Sequence, residues 1–207
     1  AVMIADLFDA RMNPEYSDSA RAEKTKACQE QLKAALAKVD SLDEDRILRW
    51  YLDLINAMLR TNFYQRDSEG NRKDRLSFKF AASEIPNLPK PKPMFEIFVY
   101  SPRVEAIHLR GGKVARGGLR WSDRMEDFRT EVLGLVKAQM VKNAVIVPVG
   151  SKGGFIVKQK TPADGREVFQ KEGIECYQTF LRGMLDVTDN LVDGNVVHPD
   201  NTVRHDE

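Results

Sequence analysis

The chain has 207 residues, 42% of them hydrophobic and 30% charged. That is enough for one sizeable domain with a buried core and a helical appendage. Lys and Arg number 32 against 31 Asp and Glu, a formal net charge of +1, so the global basic field of a nucleic-acid binder is missing. No apolar run reaches the length of about 18 residues that a membrane span needs.

The N-terminus, AVMIADLFDARMNPEYSD, lacks the basic start, extended apolar run and cleavage site of a secretory signal. Residues 20–40 are rich in Ala, Lys, Glu, Gln and Leu, all good helix formers. Ser41 or Asp43 can cap a second helix, expected to run on through Gln65. In it Ile47, Leu48, Tyr51, Leu52, Ile55, Met58 and Leu59 recur at helical spacing and predict a packing face. Residues 66–75 read as a polar turn.

The period then changes. Residues 76–85 alternate, as a strand does. The stretch PNLPKPKP (86–93) excludes helix, because each Pro removes a donor and fixes φ. MFEIFVYSP and VEAIHLRGG predict two strands about a turn at Ser101-Pro102. A glycine-rich loop follows, then a helix over roughly 124–142. The apolar run AVIVPV (144–149) predicts a buried, parallel-type strand. A second glycine-rich loop and a helix over 164–190 come next, and the tail from Asp193 reads as loop. The fold expected is α/β, with α+β open: a mixed sheet flanked by helices, residues 1–65 forming a helical segment and 66–207 the α/β domain. The chain begins with Ala, and TVRHDE at its end reads as mid-domain polar sequence, so a piece of a longer protein is expected.

Cys28 and Cys176 stand far apart with no metal spacing, so a disulfide framework is not expected and a reducing cytoplasm is the default. His108, His198 and His205 are too scattered to predict a metal site.

Cations edge both glycine-rich stretches. The first runs from Arg110 through Gly111, Gly112, Lys113, Arg116, Gly117, Gly118 and Arg120 to Trp121, the second from Pro148 through Gly150, Ser151, Lys152, Gly153 and Gly154 to Phe155. Glycine admits positive φ and close approach of backbone N–H groups to a ligand. The cations add forked donors and point charges, suited to a small dicarboxylate or a phosphate. A Walker A loop needs Gly-Lys followed by Ser or Thr, whereas Lys152 follows Ser151 and precedes Gly153; G-x-G-x-x-G occurs nowhere. On the helix between the two stretches, Phe128, Val132 and Leu135 form an apolar stripe with Gln139 at its centre and Lys142 at its edge, while Lys137 falls on the opposite side. Polar groups on an inward face need partners. Those partners are either other protein groups or an anionic ligand. Burial and neighbouring cations would both disfavour the ammonium form of Lys152, which suits it to general-base work or to polarising a carbonyl.

The run from Arg116 to Phe155, RGGLRWSDRMEDFRTEVLGLVKAQMVKNAVIVPVGSKGGF, resembles the substrate-binding domain of glutamate dehydrogenases, in particular the large bacterial NAD-specific type. The shared pattern is cation-Gly-Gly-Leu-Arg, a helix ending Gln-or-Met-x-x-Lys, an apolar strand, Pro, and Lys-Gly-Gly, all in order. The resemblance implies oxidative deamination of L-glutamate to 2-oxoglutarate and ammonia with NAD. By position it makes Arg116 the partner of the side-chain carboxylate, where the smaller enzymes carry a lysine. It makes Gly117 and Gly118 the substrate-lining backbone, Gln139 a substrate contact and Lys142 the partner of the α-carboxylate. Lys152 becomes the catalytic lysine that assists attack of water on the imino carbon. The family's acid, in an Ala-Asp-x-Gly-like pattern, is missing; Asp193 and Asp200 are poor candidates, and both the acid and the NAD-binding domain are expected beyond Glu207. A homo-oligomeric enzyme without nucleic-acid or membrane partners is implied as well. The alternative left open is a non-catalytic module that holds glutamate or phosphate.

Overall fold

A computed structural model describes residues 1–142 and 149–206, with side chains described for all of these except 140–142. Three helices open the chain. The first, α1 (Val2–Met12), carries no sequence signal strong enough to have been expected. Helix α2 (Asp18–Leu36) starts where the Ser17 hydroxyl accepts from the Ala20 N–H, 3.3 Å. Helix α3 (Leu42–Ala57) starts at Ser41, whose hydroxyl accepts from the Glu44 N–H, with Asp43, Glu44 and Asp45 at the positive end of the helix dipole.

The expected continuation of α3 to Gln65 is wrong. The helix stops at Ala57 and the chain turns into an edge strand, β1 (Met58–Thr61). No Gly or Pro marks this end. The side chain of Arg11, on α1, caps it from outside by donating to the carbonyls of Ile55 and Asn56, both at 3.0 Å. The stripe on α3 is buried mainly at its end: Ile55 and Met58 are in the core, whereas Ile47 and Tyr51 are exposed.

Strands β2 (Leu76–Ala81), β3 (Phe95–Tyr100), β4 (Val104–Arg110), β5 (Arg116–Trp121) and β6 (Gly150–Val157) join β1 in one sheet of order β1-β2-β3-β4-β6-β5. Every neighbouring pair is antiparallel except β5 and β6, which are parallel. A mixed sheet flanked by helices is what the sequence predicted. Helix α4 (Phe128–Lys142) crosses between the parallel strands. It buries Phe128, Val132, Leu133 and Val136 against Ile107, Leu109 and Ile156. Leu135, expected in that stripe, is only half-buried. Helix α5 (Arg166–Leu185) covers the other face through Cys176 and Phe180, packed on Ile97, Val99, Phe155 and Val157. Phe98 touches both the α4 cluster and the cluster of Met12, Met58 and Phe80, so the N-terminal helices share the α4 face.

Both glycine-rich stretches, expected as loops, are largely strands. None of their glycines has a positive φ; among the described glycines that conformation belongs to Gly70, Gly165 and Gly194. The reason for glycine is closeness. A Cβ on Gly154 would lie 2.5 Å from Val132 of α4, so a side chain there would push the helix off the sheet. The expected strand 144–149 falls outside the described residues except at Val149, whose carbonyl accepts from the Arg116 N–H at 3.3 Å. The tail is also not plain loop: β7 (Asn190–Val192) and β8 (Asn195–Val197) pair about a turn in which Asp193 and Gly194 both have positive φ. No described helix is long and apolar enough to cross a membrane.

Candidate functional site

Side chains alternate along a strand, so parity assigns each site residue to a face. On β6, Phe155 and Val157 point to α5, and Ile156 points to α4. Lys152 and Gly150 share the parity of Ile156. Lys152 is in register with Leu109, a member of the α4 cluster, and with Gly118 of β5. On β5, Trp121 stacks on Phe155 of the α5 side, which leaves Arg116, Gly118 and Arg120 facing α4. The α4 face of the parallel pair therefore carries Arg116, Arg120 and Lys152 around Gly118. Two residues along a strand and one strand across put the Cα atoms of Arg116 and Lys152 roughly 8 Å apart.

Gly117 and Gly118, adjacent in sequence, are glycine for different reasons. A Cβ on Gly117 would collide with the carbonyl of Ser151, its register partner. A Cβ on Gly118 would have nothing within 4 Å among the described residues. Packing thus dictates the first and not the second. Beside Lys152 the second leaves open space above the backbone.

Gln139 is where α4 meets the start of β5. Its side-chain amide donates to the Arg116 carbonyl, 2.7 Å, and it lies over Gly150, where a Cβ would come 2.9 Å from its Oε1. That Oε1 is buried without a hydrogen-bond partner among the described residues, a deficit that a bound donor would repair. Lys142 closes α4; its side chain lies outside the described residues. Lys137 is exposed, as expected.

The cations on this face are not equivalent. Arg120 forms an ion pair through Nε with Glu131 in the first turn of α4, 2.5 Å. Among the described residues Arg116 and Lys152 form no ion pair. Glu131 also accepts from the Ser122 hydroxyl, 2.5 Å. Sequence reasoning missed this trio, because a loop has no faces and Arg120 was not read as alternating with Arg116. The signal available was the two-residue spacing of Arg116, Gly118 and Arg120.

The histidines do not gather: His108 lies on β4, His198 bonds Asp189 at 2.9 Å, and His205 contacts the Arg11 carbonyl at 3.1 Å. Asp193 sits in the turn of the β7–β8 hairpin and Asp200 is exposed in the tail.

A family model described as "Bacterial NAD-glutamate dehydrogenase, catalytic domain" matches residues 31–207, a span that includes every site residue from Arg116 to Lys152. The chain belongs to the bacterial NAD-glutamate dehydrogenase family. Three similar members are each called NAD-specific glutamate dehydrogenase. The protein of Halomonas elongata is 57% identical over 204 residues, covering 99% of this chain and 12% of the relative. That of Pseudomonas aeruginosa is 63% identical over 185 residues, 89% of this chain and 11% of the relative. That of Mycobacterium tuberculosis is 51% identical over 211 residues, 98% and 13%. The chain thus spans only a small part of the length of these family members.

Proposed function

We propose that this chain supplies the dicarboxylate-binding part of an enzyme that converts L-glutamate to 2-oxoglutarate and ammonia with NAD. The observation that carries the reading is the α4 face of β5 and β6: two cations, Arg116 and Lys152, that form no ion pair among the described residues, on either side of the space over Gly118 that no described residue fills. Two separated cations beside a side-chain-free backbone fit a small molecule with a carboxylate at each end. Family membership selects glutamate as that molecule.

In this reading the Arg116 guanidinium holds the side-chain carboxylate, in place of the lysine of smaller enzymes, and Lys142 holds the α-carboxylate. The backbone of Gly117 and Gly118 lines the substrate. Gln139 keeps Arg116 in place through its carbonyl and offers Oε1 to a donor on the ligand. Lys152 works at the reacting carbon, moving a proton to or from the water that attacks the imino group. Residues 66–207 form the glutamate-binding unit, and the full-length enzyme is a homo-oligomer of the cytoplasm.

A dinucleotide does not fit the residues of this chain. The parallel unit β5–α4–β6 is the kind of unit that holds a pyrophosphate at its first turn. Here that turn is Ser122-Asp123-Arg124-Met125-Glu126-Asp127, without glycine and with three acids at the helix N-terminus, which repel an anion. No step is therefore assigned to a nicotinamide on these residues, and the hydride acceptor is presented by another part of the full-length polypeptide.

Lys152→Ala in the full-length enzyme is expected to lower kcat by roughly 100-fold or more, the scale of a lost acid–base group. Near-wild-type turnover would remove Lys152 from its role. Calorimetry with L-glutamate, 2-oxoglutarate and inorganic phosphate separates the alternative: heat from phosphate with none from 2-oxoglutarate would favour a non-catalytic anion-binding module.

A further inference from the structure

Glu131 has no place in the roles above, yet it is firmly held on the site face. Its side chain is 12% exposed, and its two oxygens are both used, one by Arg120 Nε and one by the Ser122 hydroxyl, each at 2.5 Å. Ser122 is itself fixed: it is buried, its N–H donates to the Phe155 carbonyl at 2.8 Å, and its hydroxyl accepts from the Arg124 N–H. Glu131 therefore grips the end of β5 and the turn that follows.

The grip has a counterpart. Helix α4 runs antiparallel to β5, so Glu131 meets Arg120 at one end of the strand and Gln139 meets Arg116 at the other. From Glu131 to Gln139 the helix rises about 12 Å. From Arg116 to Arg120 the strand extends about 13 Å. The two clamps match in length and hold the strand along the helix, with Gly118 and Lys152 between them. Arg120 shares the strand face of Arg116 but is taken up by Glu131, so it is withheld from the space over Gly118.

We propose that Glu131 is a positioning residue for the dicarboxylate site, fixing β5 against α4 and keeping Arg120 out of the ligand space so that Arg116 and Lys152 meet the ligand. This rests on the functional reading above. It predicts a defect in substrate affinity and not in the chemical step, because Glu131 touches no reacting atom.

The test uses the full-length enzyme with Glu131→Gln, Arg120→Gln, the double variant, and Glu96→Gln as a control. Glu96 anchors the same helix to β3 through Arg129, at 2.9 and 2.7 Å, with Leu109 of β4 standing between it and Lys152. Glu131→Gln and Arg120→Gln are each expected to raise KM for 2-oxoglutarate roughly tenfold, with kcat and KM for the nucleotide within about twofold. The double variant adds nothing beyond either single one, because both remove the same contact. Glu96→Gln lowers thermal stability and leaves KM for 2-oxoglutarate unchanged. Arg120 is more than half exposed, so Arg120→Gln keeps the test open if Glu131→Gln is too unstable to purify. An unchanged KM in the Glu131 and Arg120 variants of an active enzyme overturns the proposal alone. So does a raised KM in Arg120→Gln with a lowered one in Glu131→Gln, which would make Arg120 a direct ligand contact. A wild-type enzyme that neither turns over nor binds 2-oxoglutarate overturns the functional reading, and this proposal with it.

Discussion

The side-chain amide of Gln139 donates to the backbone carbonyl of Arg116 at 2.7 Å, tying the last turns of α4 to the first residue of β5. The bond crosses from a helix to a strand and fixes where the Arg116 guanidinium starts from. Gln139→Leu keeps the bulk and removes the donor. It is expected to raise KM for the dicarboxylate by about tenfold, equivalent to about 1.4 kcal/mol, the net value of one such hydrogen bond. Steady-state kinetics with 2-oxoglutarate check this, and an unchanged KM would sink it.

Gly117 and Gly118 are expected to respond in opposite ways to the same substitution. In Gly117→Ala the new methyl meets the Ser151 carbonyl, and the β5–β6 pairing is disturbed. A cost of about 1–3 kcal/mol follows, the scale of overpacking. In Gly118→Ala the methyl enters open space and stability is retained, but the methyl occupies the room proposed for the ligand. Urea denaturation and calorimetry with 2-oxoglutarate on the two variants separate the cases. Equal loss of stability in both would contradict the structure.

Arg60 on β1 joins the sheet edge to the C-terminal residues. It is 4% exposed and donates to both oxygens of Asp189, at 2.6 and 3.1 Å, and to Asp206 at 2.7 Å. The hydrogen bonds from Arg60, helped by His198, hold the Asp189 carboxyl down at about 2. Burial pushes Asp206 up, but Lys79 and Arg60 hold it below the usual carboxylate range. Both carboxylates therefore stabilise the fold above their unfolded values, and the contribution is lost as pH falls toward 2. Arg60→Met leaves two carboxylates short of a partner and is expected to cost about 3–5 kcal/mol at neutral pH. The gap to the wild type narrows below about pH 4. A pH series of denaturation midpoints reads this directly, and a gap independent of pH would reject it.

His108 adds to the same acid limb from a group that must stay neutral. Burial, and then the neighbouring Arg110, push its imidazole down from 6.5 to about 4. Its Nδ1 is buried with no partner among the described residues. The neutral ring is the one the fold accepts, so its contribution is complete above the unfolded value and is lost as pH falls from 6.5 through about 4. Up to about 3 kcal/mol is involved if the whole shift is realised. His108→Leu is expected to flatten this part of the acid limb. NMR titration of the imidazole tests the cause, and a midpoint near 6.5 would refute it.

Much of the candidate site was legible because its chemistry is local. Arg116, Gly117 and Gly118 are contiguous, Gln139 and Lys142 sit three apart on one helix, and Lys152 is flanked by glycines. The loop reading of the glycine stretches failed for a physical reason. Glycine in sequence signals freedom of φ, but here it answers the close approach of α4 and of neighbouring backbone, which only the packed sheet reveals. Glu131 was invisible for the same reason: it matters through Arg120 and Ser122, and those contacts exist only once β5 is a strand with a face toward α4.

By itself the sequence determined the helix of residues 20–40, the helix that starts at Ser41, the strands of the middle, a mixed sheet flanked by helices, and the set of cations offered to an anion. Periodicity, capping and residue chemistry are short-range properties, readable from neighbours a few positions away. The tertiary structure alone decided where α3 stops, because its cap is the side chain of Arg11, forty-four residues away from Ile55. It also decided which arginine is left for a ligand. Arg116 and Arg120 look alike in sequence, and the carboxylate that takes one of them comes from a helix that lies across the strand only after folding.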